Sequence, residues 1–568
     1  MLDFFSRGAK GRSDPLASAE AAREFVAALK KEHGAAAHER VVALLSPLEL
    51  DWHNISVDRV EALLALNQET ESLHENLCAQ YLLNTRMPKA LEAQLRSQIL
   101  AYGKCFIDSY QHVLTVDADS VEGAKVLTLL PIVLSRMMFY LGEHARWHWI
   151  RSFNPEEAFW LGVNQLYWFA EHHGCDSVPV FLFGDGQPAT TVQDQFLILH
   201  MLAVLTGGNL SARQLHFAYQ LLQVLSNRMS LTRACAEHSS FVVSLKGPHP
   251  AARASGGLVD EAARYWGTTD LVEILHGWSI VLDAGRVPPE IKRMMEPGID
   301  ANTLRALMRE WAPQQMRFER AERVPVSGQS IEVAYRLPVL HRLIRVVDEA
   351  KQTGALEDGN FDDAANIRIY GFVTTRKRDK GAPMPGLALG GEAVSQPAKE
   401  EFSRWEVDNV SQTGLGVTLG AMGNEWVGLG ALIGFREKSV DGWSLGVVRR
   451  VKRNSADQIY LGVETLSRRP VAASLRPTDV RLIDPTLPPE QVWLAGHIAL
   501  FVPCQRSGKV VNALLLPLSL YVLGKEFYMT AKGKHFQLSL GKVMDKGSDW
   551  CLIEVELVQA LEKLPVMP

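Results

Sequence analysis

The stretch FSRWEVDNVSQTGLGVTL, residues 402–419, alternates apolar and polar side chains, breaks at Ser411-Gln412-Thr413-Gly414, and then alternates again. A two-residue period on both sides of a short polar, glycine-ended turn reads as strand, turn, strand, with one face of each strand buried. Working outward, the same texture recurs in WVGLGALIGF (426–435), WSLGVVRRVKRN (443–454), QIYLGVETLS (458–467) and VRLID (480–484). Gly, Asn and Asp split these segments at intervals suited to a meander or small barrel.

Upstream, VPVSGQSIEVAY (324–335) alternates like a strand, and LPVLHRLIRVVDEAKQTG (337–354) reads as one amphipathic helix. IRIYGFVTT (367–375) is a further strand candidate. Residues 376–397 are Gly/Pro-rich and basic at the start, the composition of a loop. Downstream, the Pro-rich joint DPTLPPEQ (484–491) leads to another β-rich stretch, with HIALFV, VVNALLLP, FYMTAKGKHFQLSLGKVM and WCLIEVELV as its strands.

Residues 17–312 differ in kind. Apolar side chains recur at three and four residues, as in Leu197, His200, Met201, Val204 and Leu205. Breaks such as Gly207-Gly208-Asn209, with Ser211 near the next cap, and Val287-Pro288-Pro289 separate helical pieces. No clean period emerges, which leaves a TPR- or HEAT-type solenoid open. The predicted fold class is α+β and multidomain: a flexible N-terminus (1–16), an N-terminal all-α region (17–312), a β-barrel (313–483) with an insertion at about 337–400, and a second small β domain (484–568).

Composition narrows function. The chain has 568 residues, 47% of them hydrophobic and 22% charged, with a formal net charge of −5. That balance suits globular domains and argues against general affinity for DNA, RNA or anionic membrane. Any anion site must be local. Cys78, Cys105, Cys175, Cys235, Cys504 and Cys551 form no CxxC pair, which disfavours a structural zinc cluster or a disulfide framework. No run of about 18 apolar residues appears, and the start lacks an apolar h-region, so the expectation is a cytoplasmic protein that does not span a membrane.

Two features carry chemistry. Arg317, Arg320 and Arg323 stand at i, i+3, i+6 directly ahead of the β region. Asn409 and Ser411 are short polar groups at a turn, where Gly414 permits tight backbone. A guanidinium is a planar fork that pairs bidentately with phosphate or with guanine O6/N7, and it stacks on base faces. An arginine-rich segment leading into a barrel can therefore close over a nucleotide, while short polar groups meet base edges from the other side.

Here the sequence resembles the PilZ family of bacterial cyclic di-GMP receptors, over roughly residues 315–482. The family pairs an RxxxR motif with a downstream D/N-x-S-x-x-G motif, and Asn409-Val-Ser411-Gln-Thr-Gly414 matches the second at every fixed position. The resemblance implies cyclic di-GMP as ligand and no cofactor. Asn409, Ser411 and Gly414 would contact one guanine and its ribose, and the arginines would wrap the phosphates and the other base. The first motif departs from the pattern: the arginines at 317–323 are spaced by three, and the one nearby RxxxR, Arg305 to Arg309, lies in a helical stretch. The long gap between Arg323 and Asn409 implies an insertion. Arg376-Lys377-Arg378 is a rival source of the arginines.

Other signals read as structure. His144 and His148 share a helix face at i, i+4, with His172 and His173 further on, yet tryptophans surround the pair and no HExxH pattern occurs. FGDG (183–186) lacks the lysine of a P-loop. No catalytic residues and no metal site are expected, and the helical region resembles no family whose function can be carried over. The expectation is a non-enzymatic receptor that couples the nucleotide to an unidentified protein partner through the helical region. The alternative is an adaptor with a degenerate barrel that binds protein only, and a hydrolase using His144 and His148 is the third reading.

Overall fold

The structure, a computed structural model, describes residues 14–29, 34–46, 55–84, 87–117, 119–184, 186, 188–254, 260–314, 323–326, 328–352, 402–424, 426–437, 442–453, 458–478, 496–506 and 509–565. Arg317, Arg320, the strand candidate at 367–375, the basic loop at 376–397, VRLID and the Pro-rich joint lie outside them. The chain divides into two compact units, residues 1–318 and 319–568.

The first unit carries α1 (Ala19–Leu29), α2 (Gly34–Leu44), α3 (Val57–Leu83), α4 (Lys89–Val113), α5 (Val121–Thr128), α6 (Leu130–Ile150), α7 (Glu157–His172), α8 (Val192–Val204), α9 (Ala212–Leu225), α10 (Thr269–Asp283) and α11 (Ala301–Trp311). Their starts follow local chemistry. Ser56 caps α3, and reciprocal capping boxes start α8 (Thr191 with Asp194), α9 (Ser211 with Gln214) and α11 (Asp300 with Thr303). Residues 192–203 of α8 are apolar on nearly every side and almost all buried, so α8 runs through the core rather than over it. The Val287-Pro288-Pro289 break leads into a 3-10 turn, Pro289–Met294, ahead of α11. Among the described residues no single helix is long and apolar enough to cross a membrane.

Two expectations change here. The region is not all-α: β1 (Phe241–Ser244), β2 (Ala252–Arg253) and β3 (Ala263–Trp266) form a three-stranded antiparallel sheet in the order β2-β1-β3. Arg253 reaches from this sheet to the carbonyls of Glu310 and Ala312, satisfying the C-terminal end of α11. The N-terminal boundary also moves, because Leu16 is fully buried in the helical core.

The second unit holds two closed six-stranded antiparallel barrels. The first is formed by β5 (Ser330–Tyr335), β6 (Ser403–Ser411), β7 (Gly414–Gly420), β8 (Leu432–Glu437), β9 (Ser444–Arg453) and β10 (Gln458–Ser467), in the order β6-β5-β8-β9-β10-β7 with β7 closing on β6. A short β4 (Val324–Pro325) adds to β6, so the 324–335 strand expected from sequence is two pieces, broken at Gly328 with φ +75°.

The second barrel is β11-β12-β15-β18-β17-β16, from β11 (Val471–Pro477), β12 (His497–Phe501), β15 (Ala513–Pro517), β16 (Glu526–Ala531), β17 (Lys534–Lys546) and β18 (Trp550–Leu561). A small hairpin, β13 (Cys504–Arg506) with β14 (Lys509–Val511), stands beside it. Because β11 pairs with β12 and β16, the change of barrel falls before Val471 rather than at the Pro-rich joint. The six-strand ring needs β11 to close and leave no open edge.

Between the barrels lies α12 (Leu337–Gln352), the amphipathic helix expected from sequence. Leu337, Leu340, Leu343 and Ile344 on one stripe are buried with Leu445 and Val447 of the first barrel and Leu500 and Leu515 of the second. Leu340 comes so close to Gly434 on β8 that a Cβ there would lie 2.6 Å from its Cδ2, which is why that strand position is glycine. Polar ties back this core. His341 Nε2 lies 3.0 Å from the Ala473 carbonyl, Asp348 accepts from the Ala472 N–H at 3.1 Å, and Trp550 Nε1–H donates to the Gly430 carbonyl at 3.0 Å. Arg449 of β9 pairs with Asp545 of β17.

Candidate functional site

The NVSQTG turn is the β6–β7 hairpin, with Ser411 opposite Gly414 across a two-residue loop. Ser411 Oγ–H donates to the Gly414 carbonyl at 3.1 Å, and the Thr465 N–H binds the Thr413 carbonyl at 2.9 Å, fastening the turn to β10. Gly414 sits against β10 so tightly that a Cβ would press into the Val463 carbonyl oxygen. The glycine is thus required by the approach of two backbones.

One position before Asn409 the ladder carries a bulge: Asp408 is the extra residue between the Val407–Val417 and Asn409–Gly416 pairs. Its carboxylate accepts from Thr418 Oγ1–H at 2.7 Å and its carbonyl from the Val326 N–H at 2.9 Å. The bulge turns Asn409 to the outer face, while Val407 stays in the barrel core. On the neighbouring strands Leu415, Val417, Leu461, Val463 and Val451 are core residues, so the alternate positions face outward.

Register then assembles a row across four strands: Asn409 pairs with Gly416, Gly416 with Gly462, and Gly462 with Arg450. A second row sets Thr418 beside Tyr460 and Tyr460 beside Lys452. Asn409 and Tyr460 fold over Gly416: Asn409 Nδ2–H donates to Tyr460 Oη at 3.4 Å, and a Cβ on Gly416 would lie within 2.8 Å of both side chains. Asn409 Oδ1 is shielded from solvent and has no hydrogen-bond partner among the described residues. Arg450 and Lys452 take part in no ion pair among the described residues. The result is a glycine-floored strip with an amide acceptor at one end, a phenol beside it and two cations at the other.

Arg323, the last arginine of its segment, lies beside the turn. Val324 pairs with Val410 and Pro325 with Asn409, so in antiparallel register Arg323, one residue earlier, falls opposite Ser411. Arg323 is exposed. Arg317 and Arg320 precede it outside the described residues, and Arg376 and Arg378 are outside them too. Arg305 and Arg309, the RxxxR pair, lie in α11.

Sequence reading named Asn409, Ser411, Gly414 and Arg323, which the register sets on or beside the β6–β7 turn, and did not name Gly416, Tyr460, Gly462 and Arg450, which the same register brings alongside. The alternation of QIYLGVETLS and WSLGVVRRVKRN gave the available signal, since assigning Ile459, Leu461 and Val451 to the core leaves Tyr460, Gly462 and Arg450 outside. In the first unit His144 and His148 have ring centroids 4.6 Å apart on α6. Burial pushes the His144 pKa down to about 4.

Comparison with known proteins adds one likeness. Residues 20–237 match the family model for the N-terminal domain of the cyclic-di-GMP receptor FimW. The match lies within the first unit, ends before its sheet, and covers a region for which the sequence alone suggested no family. No curated protein and no solved structure matches the chain.

Proposed function

We propose that this protein is a receptor for cyclic di-GMP in which the barrel of β5–β10 is a PilZ-like nucleotide-binding barrel. One observation carries the reading: the β4–β6 pairing sets Arg323 opposite Ser411, so the arginine segment ends beside the NVSQTG turn. Asn409 Oδ1 is an unused acceptor for the N–H edge of a guanine. Arg450 and Lys452 bring positive charge for phosphate, and Tyr460 offers a ring for stacking. The match of residues 20–237 to the N-terminal domain of a cyclic-di-GMP receptor supports the same ligand independently of the barrel.

Arg317 and Arg320 belong to the same clasp as Arg323 in this reading. The clasp segment joins the barrel to the helical unit. Nucleotide that binds the closed segment more tightly than the open one shifts the population toward closure, by no more than that differential affinity. The helical unit then presents itself differently to a protein partner in the cytoplasm. The protein acts by binding, without catalysis.

Calorimetric titration of the full chain with cyclic di-GMP, with GTP as control, tests the reading. Saturable heat with the cyclic dinucleotide alone supports it, and no response at tens of micromolar refutes it. An adaptor that binds protein only is the second reading, favoured by the Asn409 amide already being turned onto Tyr460 over Gly416. Stable capture of a partner by a chain that fails to bind the nucleotide would decide for it.

A further inference from the structure

In the first unit, α3 sets Glu71, His74 and Cys78 on one buried stripe, and α6 sets Glu143 and Arg146 facing it. His74 Nε2 and Cys78 Sγ are 3.7 Å apart, and both lie within 4.8 Å of a Glu143 carboxylate oxygen. Zinc bonds of about 2.0–2.1 Å to nitrogen and 2.3 Å to sulfur, spread at a tetrahedral angle, hold those two atoms about 3.6 Å apart. The His–x3–Cys turn therefore already has the bite of a chelate, and Glu143 has to close by no more than about 1 Å to complete it.

The surroundings are organised to keep these ligands in place. The His74 ring stacks on Tyr102 with centroids 4.3 Å apart, and its Nδ1 lies 3.3 Å from His38 Nε2, which leaves Nε2 aimed at Cys78. A fixed ring whose second nitrogen is hydrogen-bonded is the usual support of a metal-ligating histidine. Glu143 accepts from Arg146 Nε–H at 3.0 Å on Oε1, and from Arg146 Nη2–H and Trp147 Nε1–H on Oε2. Tyr219 also hydrogen-bonds this carboxylate, and with about four lone-pair sites to share it can still turn an oxygen to a metal by giving up one of these donors. His74, Cys78 and Glu143 also line a cavity of about 520 Å³, which Glu71 and Glu75 share. Arg146 lines it too, but its charge is met by Glu143, so the further carboxyl groups of Glu71, Glu75 and Asp194 favour a cation there over a nucleotide's phosphates.

We propose that His74, Cys78 and Glu143 form a three-ligand site for a zinc-type transition-metal cation, with its remaining coordination position open to the cavity. Binding replaces the Cys78 S–H bond by a metal–sulfur bond and releases that proton to solvent. The divalent charge is met by the thiolate, by Glu143 and by the acidic wall, and Arg146 stays paired with Glu143. Thiolate and imidazole ligands favour zinc or cobalt over magnesium or calcium. All three ligands lie inside the stretch that matches the FimW N-terminal domain, but the site does not depend on nucleotide binding by the barrel.

The test uses the full chain, stripped with chelator under reducing conditions and titrated with Co²⁺ alone. The expected result is one equivalent bound, with a thiolate-to-cobalt charge-transfer band that Zn²⁺ abolishes by displacement. Cys78→Ser should lose the band and weaken binding at least about tenfold, whereas Cys105→Ser should keep both. Glu143→Gln should keep the band and lower affinity. Far-ultraviolet circular dichroism of each apo variant confirms folding, and His38→Gln, which leaves all three ligands intact, should cost about 10–100-fold. Absence of the band from the unmodified chain, or its persistence in Cys78→Ser, overturns the proposal.

Discussion

Val324 lies opposite Val410 in antiparallel register, and that pairing puts Arg323 beside Ser411 at the NVSQTG turn. Two residues 88 positions apart would otherwise have no reason to meet (411 − 323). The Val326 N–H to Asp408 carbonyl bond, at 2.9 Å, holds the register at the bulge. The position of Arg323 and that of the turn are therefore set by one strand pairing.

That coupling gives a prediction about affinity. Arg323→Ala should weaken cyclic di-GMP binding by about 1–3 kcal/mol, the value of one good bidentate pair, and Ser411→Ala by less. Arg376→Ala with Arg378→Ala should leave the titration unchanged, because nothing in the β4–β6 pairing draws on them. If the second pair matters and Arg323 does not, the clasp is assigned to the wrong segment.

The two glycines of the hairpin should respond differently to alanine. At Gly416 the new methyl meets the ends of the Asn409 and Tyr460 side chains at about 2.7 Å, and those can swing aside. Gly416→Ala should cost about 1–3 kcal/mol of barrel stability and uncouple Asn409 from Tyr460. At Gly414 the methyl meets the Val463 carbonyl, so the β7–β10 ladder itself has to open. Urea denaturation should show the larger loss for Gly414→Ala, with the order reversed if side chains rather than backbone set the cost.

Acid should act on the helical unit through His200. Its ring is fully buried against Phe196 and Trp160, its Nδ1 accepts from the Ala251 N–H at 3.0 Å, and its Nε2 has no partner among the described residues. Desolvation pushes its pKa down to about 3. The unfolded chain, titrating near 6.5, binds the proton first, so this stability is complete above about pH 6.5 and is lost as pH falls toward 3. Between pH 6.5 and 4 the loss is about 3 kcal/mol. His200→Gln should be less stable than the parent at pH 7, with the gap narrowing by about that amount at pH 4 in denaturant melts. A constant gap would mean His200 titrates normally.

Much of the β region was legible because its signals are local. The hairpin at 402–419 follows from alternation around a glycine turn, and α12 from apolar residues at 337, 340, 343 and 344. What escaped was non-local. After Val471, β11 continues with Ala472-Ala473-Ser474, residues of low strand preference, and its strand character comes from partners at 497–501 and 527–531. β1 (FVVS) and β3 (ARYW) are four residues long and buried on nearly every side, too short for periodicity to tell them from buried helix. The same reasoning separates the site residues. Asn409, Ser411 and Gly414 share a turn and so stand out in the sequence, whereas Gly416, Gly462 and Arg450 join Asn409 in a row through three strand pairings that leave no fixed spacing in the chain. His74 and Cys78 show helical spacing, but Glu143 becomes their neighbour through the packing of α6 on α3.

Leu340 is the best single probe of how the two barrels act together. Its side chain is 1% exposed and packs on Gly434 of the first barrel, in a cluster that also takes in Leu500 and Leu515 of the second. Leu340→Ala leaves a cavity between three rigid surfaces that have little freedom to collapse into it, a situation that costs about 2–5 kcal/mol. Trp550 offers the contrasting case: Trp550→Phe keeps most of the volume and forfeits its bond to the Gly430 carbonyl, about 1–2 kcal/mol. If α12 holds the barrels as one cooperative body, Leu340→Ala should lower the midpoint of a single denaturant transition for the residues 319–568 unit. If the barrels instead unfold independently, the variant will split that transition in two, and the joint role assigned to α12 fails.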